Sequence, residues 1–130
     1  TAVLVIALLP ASATADADPS SQRTLRQGSV VGHAAEEGQV HGWRGLPYAA
    51  PPIGPLRWRA PDPAQGWEGV RQATASGNRC VQLGGEPVQG SEDCLYLDVF
   101  APAVAGDAVP EGDERWPVMF GIHGGAARKR

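Results

Sequence analysis

Cysteine, methionine and aromatics are scarce here: 130 residues hold two Cys, one Met, two Phe and two Tyr, alongside four Trp. Two cysteines without C-x-x-C spacing offer no zinc site, so no metal is expected. No apolar run approaches the ~20 residues that cross a bilayer as a helix, so no membrane span is expected. Charged residues are only 19% of the chain, too few for a solvated, disordered protein. The formal net charge is -3, with no basic stripe, so no nucleic-acid partner is expected. Internal repeats are absent, and so is any amphipathic helical pattern of useful length.

What is present is turn chemistry. The chain has 17 Gly and 12 Pro, which predicts many turns and few long helices. A hydrophobic content of 42% is compatible with a globular core, and the length suits one domain.

The N-terminus reads as a processing signal. Ala2 to Leu9, "AVLVIALL", is a short apolar run ended by Pro10 and followed by "ASATADA". Ala13-Thr14-Ala15 and Ala15-Asp16-Ala17 both fit the small-x-small pattern for signal peptidase. Residues 1–17 are therefore expected to be a signal peptide whose start is cut off, with a domain over 18–130. The alternative is a buried N-terminal strand. Export implies a secreted protein, extracellular or periplasmic, in an oxidising compartment. There, an even cysteine count suggests one disulfide between Cys80 and Cys94. Two buried thiols remain the other reading.

Ser20 to Gln27 looks like a flexible start. "SVVGHAAEEGQVHGWRGLPYA" holds two weakly apolar strands around a Glu-Glu-Gly turn. "APPIGPLRWRAPDPAQGW" is proline-dominated and so extended or turning. "CLYLDVF", Cys94 to Phe100, alternates, with Leu95, Leu97 and Val99 on one side. "PVMFGI", Pro117 to Ile122, is apolar on both faces, as in a sheet covered on both sides. Such a sheet needs helices that this chain does not supply. His33 and His41 read as surface or strand residues.

After the last strand comes His123-Gly124-Gly125-Ala126. Glycine amides at a strand's C-terminal edge are suited to hold an oxyanion, though Gly-Gly alone is as readily a plain turn. Taken together, "GLPYAAPPIGPLRWRAPDPAQGW", "SEDCLYLDVFAP" and "PVMFGIHGGA" resemble the type-B carboxylesterase/lipase family, the cholinesterase-like α/β-hydrolases, from about Gly28 to Ala126. Of these, "EDCLYL" is the most specific.

The resemblance implies an α/β-hydrolase fold of which only the N-terminal, β-rich portion is present, with short antiparallel strands, proline-rich loops and one disulfide loop. It implies that Cys80 and Cys94 are bonded, and that Arg57 pairs with Glu92. On the residues alone, that Arg and Glu are two separate surface charges. It places Gly124, Gly125 and Ala126 on an oxyanion loop, with the N–H groups of Gly125 and Ala126 as donors, and gives His123 a packing role. Asp98 stands where the family more often has Asn, and Ala127–Arg130 depart from its pattern.

The implied reaction is hydrolysis of a small-molecule ester by a serine, without a cofactor. That serine belongs on a G-x-S-x-G elbow, with acid and histidine following. None of Ser12, Ser20, Ser21, Ser29, Ser76 or Ser91 is so flanked. Nucleophile, acid and base are therefore expected beyond Arg130, and the 130-residue piece alone is expected to be inactive. Two other readings are a non-catalytic cholinesterase-like binding or adhesion protein and a small secreted β-rich binding domain.

Overall fold

The computed structural model describes residues 15–82 and 89–122. Among them are six strands: β1 (Arg23–Leu25), β2 (Gly28–Val31), β3 (His33–Ala35), β4 (Val40–Pro47), β5 (Val70–Gln72) and β6 (Tyr96–Pro102). No α-helix occurs among the described residues; the remaining elements are single 3-10 turns. The strands form two three-stranded sheets, ordered β1-β2-β5 and β3-β4-β6. All pairs are antiparallel except β2 with β5, which is parallel.

The hairpin between β3 and β4 turns at Glu36–Gly38, where the sequence has its Glu-Glu-Gly. Glu36, Glu37 and Gly38 all take positive φ (49°, 57° and 83°). Only the glycine does so without steric cost. Two glycines let the strands approach further down. A Cβ on Gly32 would lie 2.2 Å from the Gly42 carbonyl oxygen, and one on Gly42 would meet the His33 ring at 2.6 Å.

β4 is irregular between Trp43 and Leu46. Gly45 takes φ +65°, and a Cβ there would clash with the Ala75 carbonyl. This bulge turns the Arg44 N–H away from its own sheet. It donates instead to the Ala73 carbonyl at 2.7 Å, while the Ala73 N–H donates to the Val31 carbonyl at 2.8 Å. One backbone relay thus ties the two sheets together at their centre.

The core sits at that junction. Val30, Trp43 and Ala73 are buried, with Leu46, Trp67 and Ala101 packed on them. Burying a large apolar side chain of this kind contributes about 1.5–3 kcal/mol. The indole N–H groups are satisfied as well. Trp43 Nε1 donates to the Ser21 carbonyl (2.9 Å) and Trp67 Nε1 to the Ser29 carbonyl (2.8 Å).

Four expectations change. Ser20 to Gln27 is ordered: Pro19–Ser21 is a 3-10 turn capped by Asp18, β1 follows, and Ser21 is fully buried. His33 and His41 do lie on strands, but buried, 4% and 2% exposed, rather than at the surface. The alternating strand begins two residues later than Cys94 and runs on to Pro102, because Ala101 and Pro102 pair with His41 and Val40. Proline is tolerated at a strand's end, where no ladder donor is needed. Finally, Pro117–Ile122 forms no strand, and Val118 and Met119 are 91% and 96% exposed. Apolar, β-prone residues do not hold a strand conformation without a neighbouring ladder, and no described strand runs beside them.

Candidate functional site

The glycine loop predicted to hold an oxyanion, Gly124, Gly125 and Ala126 with His123 before it, lies outside the described residues. What the structure does describe is the framework around the other predicted residues.

Cys80 and Cys94 are joined by a disulfide, with Cα atoms 5.0 Å apart and a sequence separation of 14. The loop they close is pinched at its neck by β-bridges between Cys80 and Ser91 and between Gln82 and Gln89. The Ser91 N–H donates to the Arg79 carbonyl at 2.8 Å. Gly90 (φ +106°) makes this neck feasible, since a Cβ there would sit 2.5 Å from the Cys80 carbonyl oxygen.

Glu92 stands at that neck and Arg57 follows the 3-10 turn Gly54–Leu56. Their side chains meet in a two-pronged pair. Arg57 Nε donates to Glu92 Oε1 at 2.6 Å, and Arg57 Nη2 donates to Oε2. The hydrogen bond holds the Glu92 carboxyl below the usual carboxylate range and raises the Arg57 guanidinium. Both side chains are about half exposed, so solvent screens most of their attraction. The pair's value is geometric: it fixes the proline-rich segment against the disulfide neck, as a fork-on-fork contact does.

Two further carboxylates organise the same side of the chain. Asp93 Oδ1 accepts from the Tyr96 hydroxyl at 2.9 Å, a bond that raises the phenol's pKa. Asp98 Oδ1 accepts the bulge's Gly45 N–H (2.9 Å) and its Oδ2 accepts the Ser76 hydroxyl (3.0 Å). Sequence reasoning marks Asp98 only as a departure from a family pattern. Its signal is a lone carboxylate on an otherwise apolar alternating strand.

Ser20, His41 and Asp18 also come together. The Ser20 hydroxyl donates to Asp18 Oδ1 at 2.8 Å and lies 3.1 Å from His41 Nε2. Asp18 Oδ2 is 3.3 Å from the same Nε2. The bonds from Ser20, with His41 contributing less, hold the Asp18 carboxyl below its ordinary value. These are the residue types of a hydrolytic triad, but not its arrangement. A triad needs the acid on one ring nitrogen and the serine on the other. Here both share Nε2, and Nδ1 is buried without a partner. The cluster anchors the N-terminal segment and does not activate Ser20.

An open apolar hollow of about 140 Å³ is walled by Arg23, Leu25, Val30, Trp43, Leu46 and Val99. The Arg23 guanidinium stacks on Trp43 and donates to the Val104 carbonyl, so it is already engaged. Among the described residues no three His, Cys, Asp or Glu side chains converge as metal ligands. No described helix is long and apolar enough to cross a membrane.

Comparison with known proteins adds what this framework cannot. Residues 19–129 match the model of the Carboxylesterase family. Para-nitrobenzyl esterase of Bacillus subtilis (strain 168) is 43% identical over a stretch covering 79% of this chain and 21% of that protein. Carboxylesterase 3 of Homo sapiens is 40% identical, over 95% of this chain and 24% of its own length. A solved structure named PNB esterase superposes with a TM-score of 0.58 at 44% identity, covering 65% of this chain and 17% of that one. The chain thus spans about a fifth of the length of the curated relatives it matches.

Proposed function

Because the chain belongs to the carboxylesterase family, we propose that the whole protein is a secreted serine hydrolase of small-molecule carboxylic esters. The described residues are a β-rich part of an α/β-hydrolase fold. The family match over residues 19–129, which takes in the glycine loop, is the observation that carries this reading. A non-catalytic binding protein and a self-contained β-rich domain are not favoured. The relatives named above are esterases by name, and they are several times longer than this chain.

In the proposed reaction a serine hydroxyl attacks the ester carbonyl, and a histidine takes its proton. The carbonyl oxygen becomes an anion and accepts hydrogen bonds from the N–H groups of Gly125 and Ala126, with Gly124 shaping the loop. Preformed backbone donors of this kind need no side-chain ordering as the charge develops. The tetrahedral intermediate expels the alcohol, which takes the proton from histidine. Water then attacks the acyl-serine and releases the acid. Ala at the third loop position serves, because the donor is backbone. Serine, acid and histidine belong to parts of the protein outside this chain, so the 130 residues alone do not turn over esters. Export, with residues up to about Ala17 removed, accounts for the apolar leader and for the Cys80–Cys94 disulfide.

The test is hydrolysis of a p-nitrophenyl ester by the full-length protein. Turnover is expected, and Gly125→Pro, which deletes one donor N–H, is expected to lower kcat by roughly 10²–10³-fold. A full-length protein that carries the serine elbow but shows no turnover overturns the reading. The isolated 130-residue chain is expected to match a buffer blank.

A further inference from the structure

We propose that the Cys80–Cys94 bond is a redox clip: a dithiol reductant opens it in the folded protein by attack at Cys80, loosening the Glu92 neck while the two sheets stay paired. Ester hydrolysis plays no part in this.

The two sulfurs differ in access and in charge. Cys80 is exposed and Cys94 half-buried. Exposed disulfides are the labile ones, and access decides which sulfur a thiolate reaches. Arg79 precedes Cys80, is exposed, and makes no ion pair among the described residues; its Nη2 lies 3.5 Å from the neutral Gln89 Oε1. Cys94 instead follows two carboxylates, Glu92 and Asp93. An incoming thiolate is therefore drawn to Cys80 and repelled from Cys94.

The arms of the clip are held from below without it. Ala73 is fully buried and bonded to Val31 and Arg44. The Ser76 hydroxyl donates to Asp98, and Gly77 packs so closely on the Tyr96 ring that a Cβ would lie 2.3 Å from it. The other arm runs straight into β6, paired with β4. Above these anchors the neck has only the Ser91 N–H on the Arg79 carbonyl, the Asn78 amide on the Asp93 carbonyl (3.1 Å) and the pair of bridges. Opening the bond thus leaves Glu92, and with it the Arg57 tie to the proline-rich segment, on a neck of exposed hydrogen bonds.

In the reaction the reductant's thiolate bonds to Cys80 Sγ as the S–S bond breaks, and Cys94 leaves as a thiolate that takes up a proton. The reductant's second thiol then attacks its own sulfur in the mixed disulfide, releasing Cys80 and closing a cyclic disulfide. Two electrons and two protons pass to the cysteine pair.

The test treats the full-length protein with dithiothreitol without denaturant, then alkylates and maps the cysteines by mass spectrometry. Both Cys80 and Cys94 are expected to be labelled. Hydrogen exchange is expected to speed up at the Ser91 amide and to stay unchanged at Arg44 and Ala73. Glutathione, a one-thiol probe quenched early in acid, is expected on Cys80. Arg79→Glu is expected to slow opening roughly threefold at low salt and not at high salt. A bond that opens only in denaturant, protection lost at Arg44 and Ala73 together with Ser91, glutathione on Cys94, or a rate untouched by Arg79→Glu at low salt overturns the proposal.

Discussion

Two apolar stretches of this chain meet opposite fates. Val30 and Val31 on β2 are buried, Val30 in one cluster with Trp43, while Val118, Met119, Phe120 and Ile122 stand in solvent. By composition the second stretch is the stronger strand former. The difference lies in partners. β2 has β1 on one side and β5 on the other, so its N–H and C=O groups are spent before its side chains are counted. Pro117–Ile122 has no described ladder beside it. Hydrophobicity supplies the gain from burial, but the backbone has to be satisfied first.

The largest effect expected from testing this contrast is at Trp43. Trp43→Ala in the full-length protein removes a buried indole and its bond to Ser21, and is expected to cost about 3–5 kcal/mol in denaturant titration. Phe120→Ala supplies the counterpart. In the isolated chain it is expected to change stability by less than about 0.5 kcal/mol. A core-sized loss there would mean that the two stretches are not different in kind.

The disulfide comes next. Replacing Cys80 and Cys94 with serine together is expected to cost ~3 kcal/mol, from a closed loop of this length. A smaller change is expected at the hairpin tip. Glu37→Gly relieves a left-handed backbone at φ 57° and is expected to stabilise by about 1 kcal/mol; a loss would show that the Glu37 side chain holds the turn.

The smallest effect is expected at Arg57 and Glu92. The Glu92 carboxyl is lowered by its partner. Its contribution is therefore present above the ordinary carboxylate range and is lost as pH falls through the lowered value. Arg57→Ala is accordingly expected to weaken the protein slightly at neutral pH and low salt, and to make no difference in acid or at high salt. Stability curves of both proteins against pH check the sign.

Much of the hairpin is legible in the residues themselves. Glu36-Glu37-Gly38 between alternating residues marks its turn, and proline marks the irregular stretch that follows. The N-terminal segment is not legible in this way, because what orders it is Ser21 bonding to Gly32 and Trp43, residues 11 and 22 positions away. Local patterns carry no trace of such bonds. The burial of His33 and His41 is hidden for a related reason: Gly42 on the facing strand opens space for the His33 ring, and a carboxylate from the N-terminus meets the His41 ring. β5 is three residues long, too short to leave a periodic signal. Of the predicted site, the disulfide and the Arg57–Glu92 contact are visible in the structure, while Gly124–Ala126 lie outside the described residues.

The relay from Val31 through Ala73 to Arg44 has a mechanical consequence. Because the β4 bulge hands one amide across to the other sheet, and its Gly45 carbonyl accepts from Arg71 of β5, the two sheets are geared at the bulge. Neither can slide along its strands without pulling that amide out of register. A substitution at Gly45 would therefore be felt first as a change in how the sheets are set against each other, before either lost its own pairing.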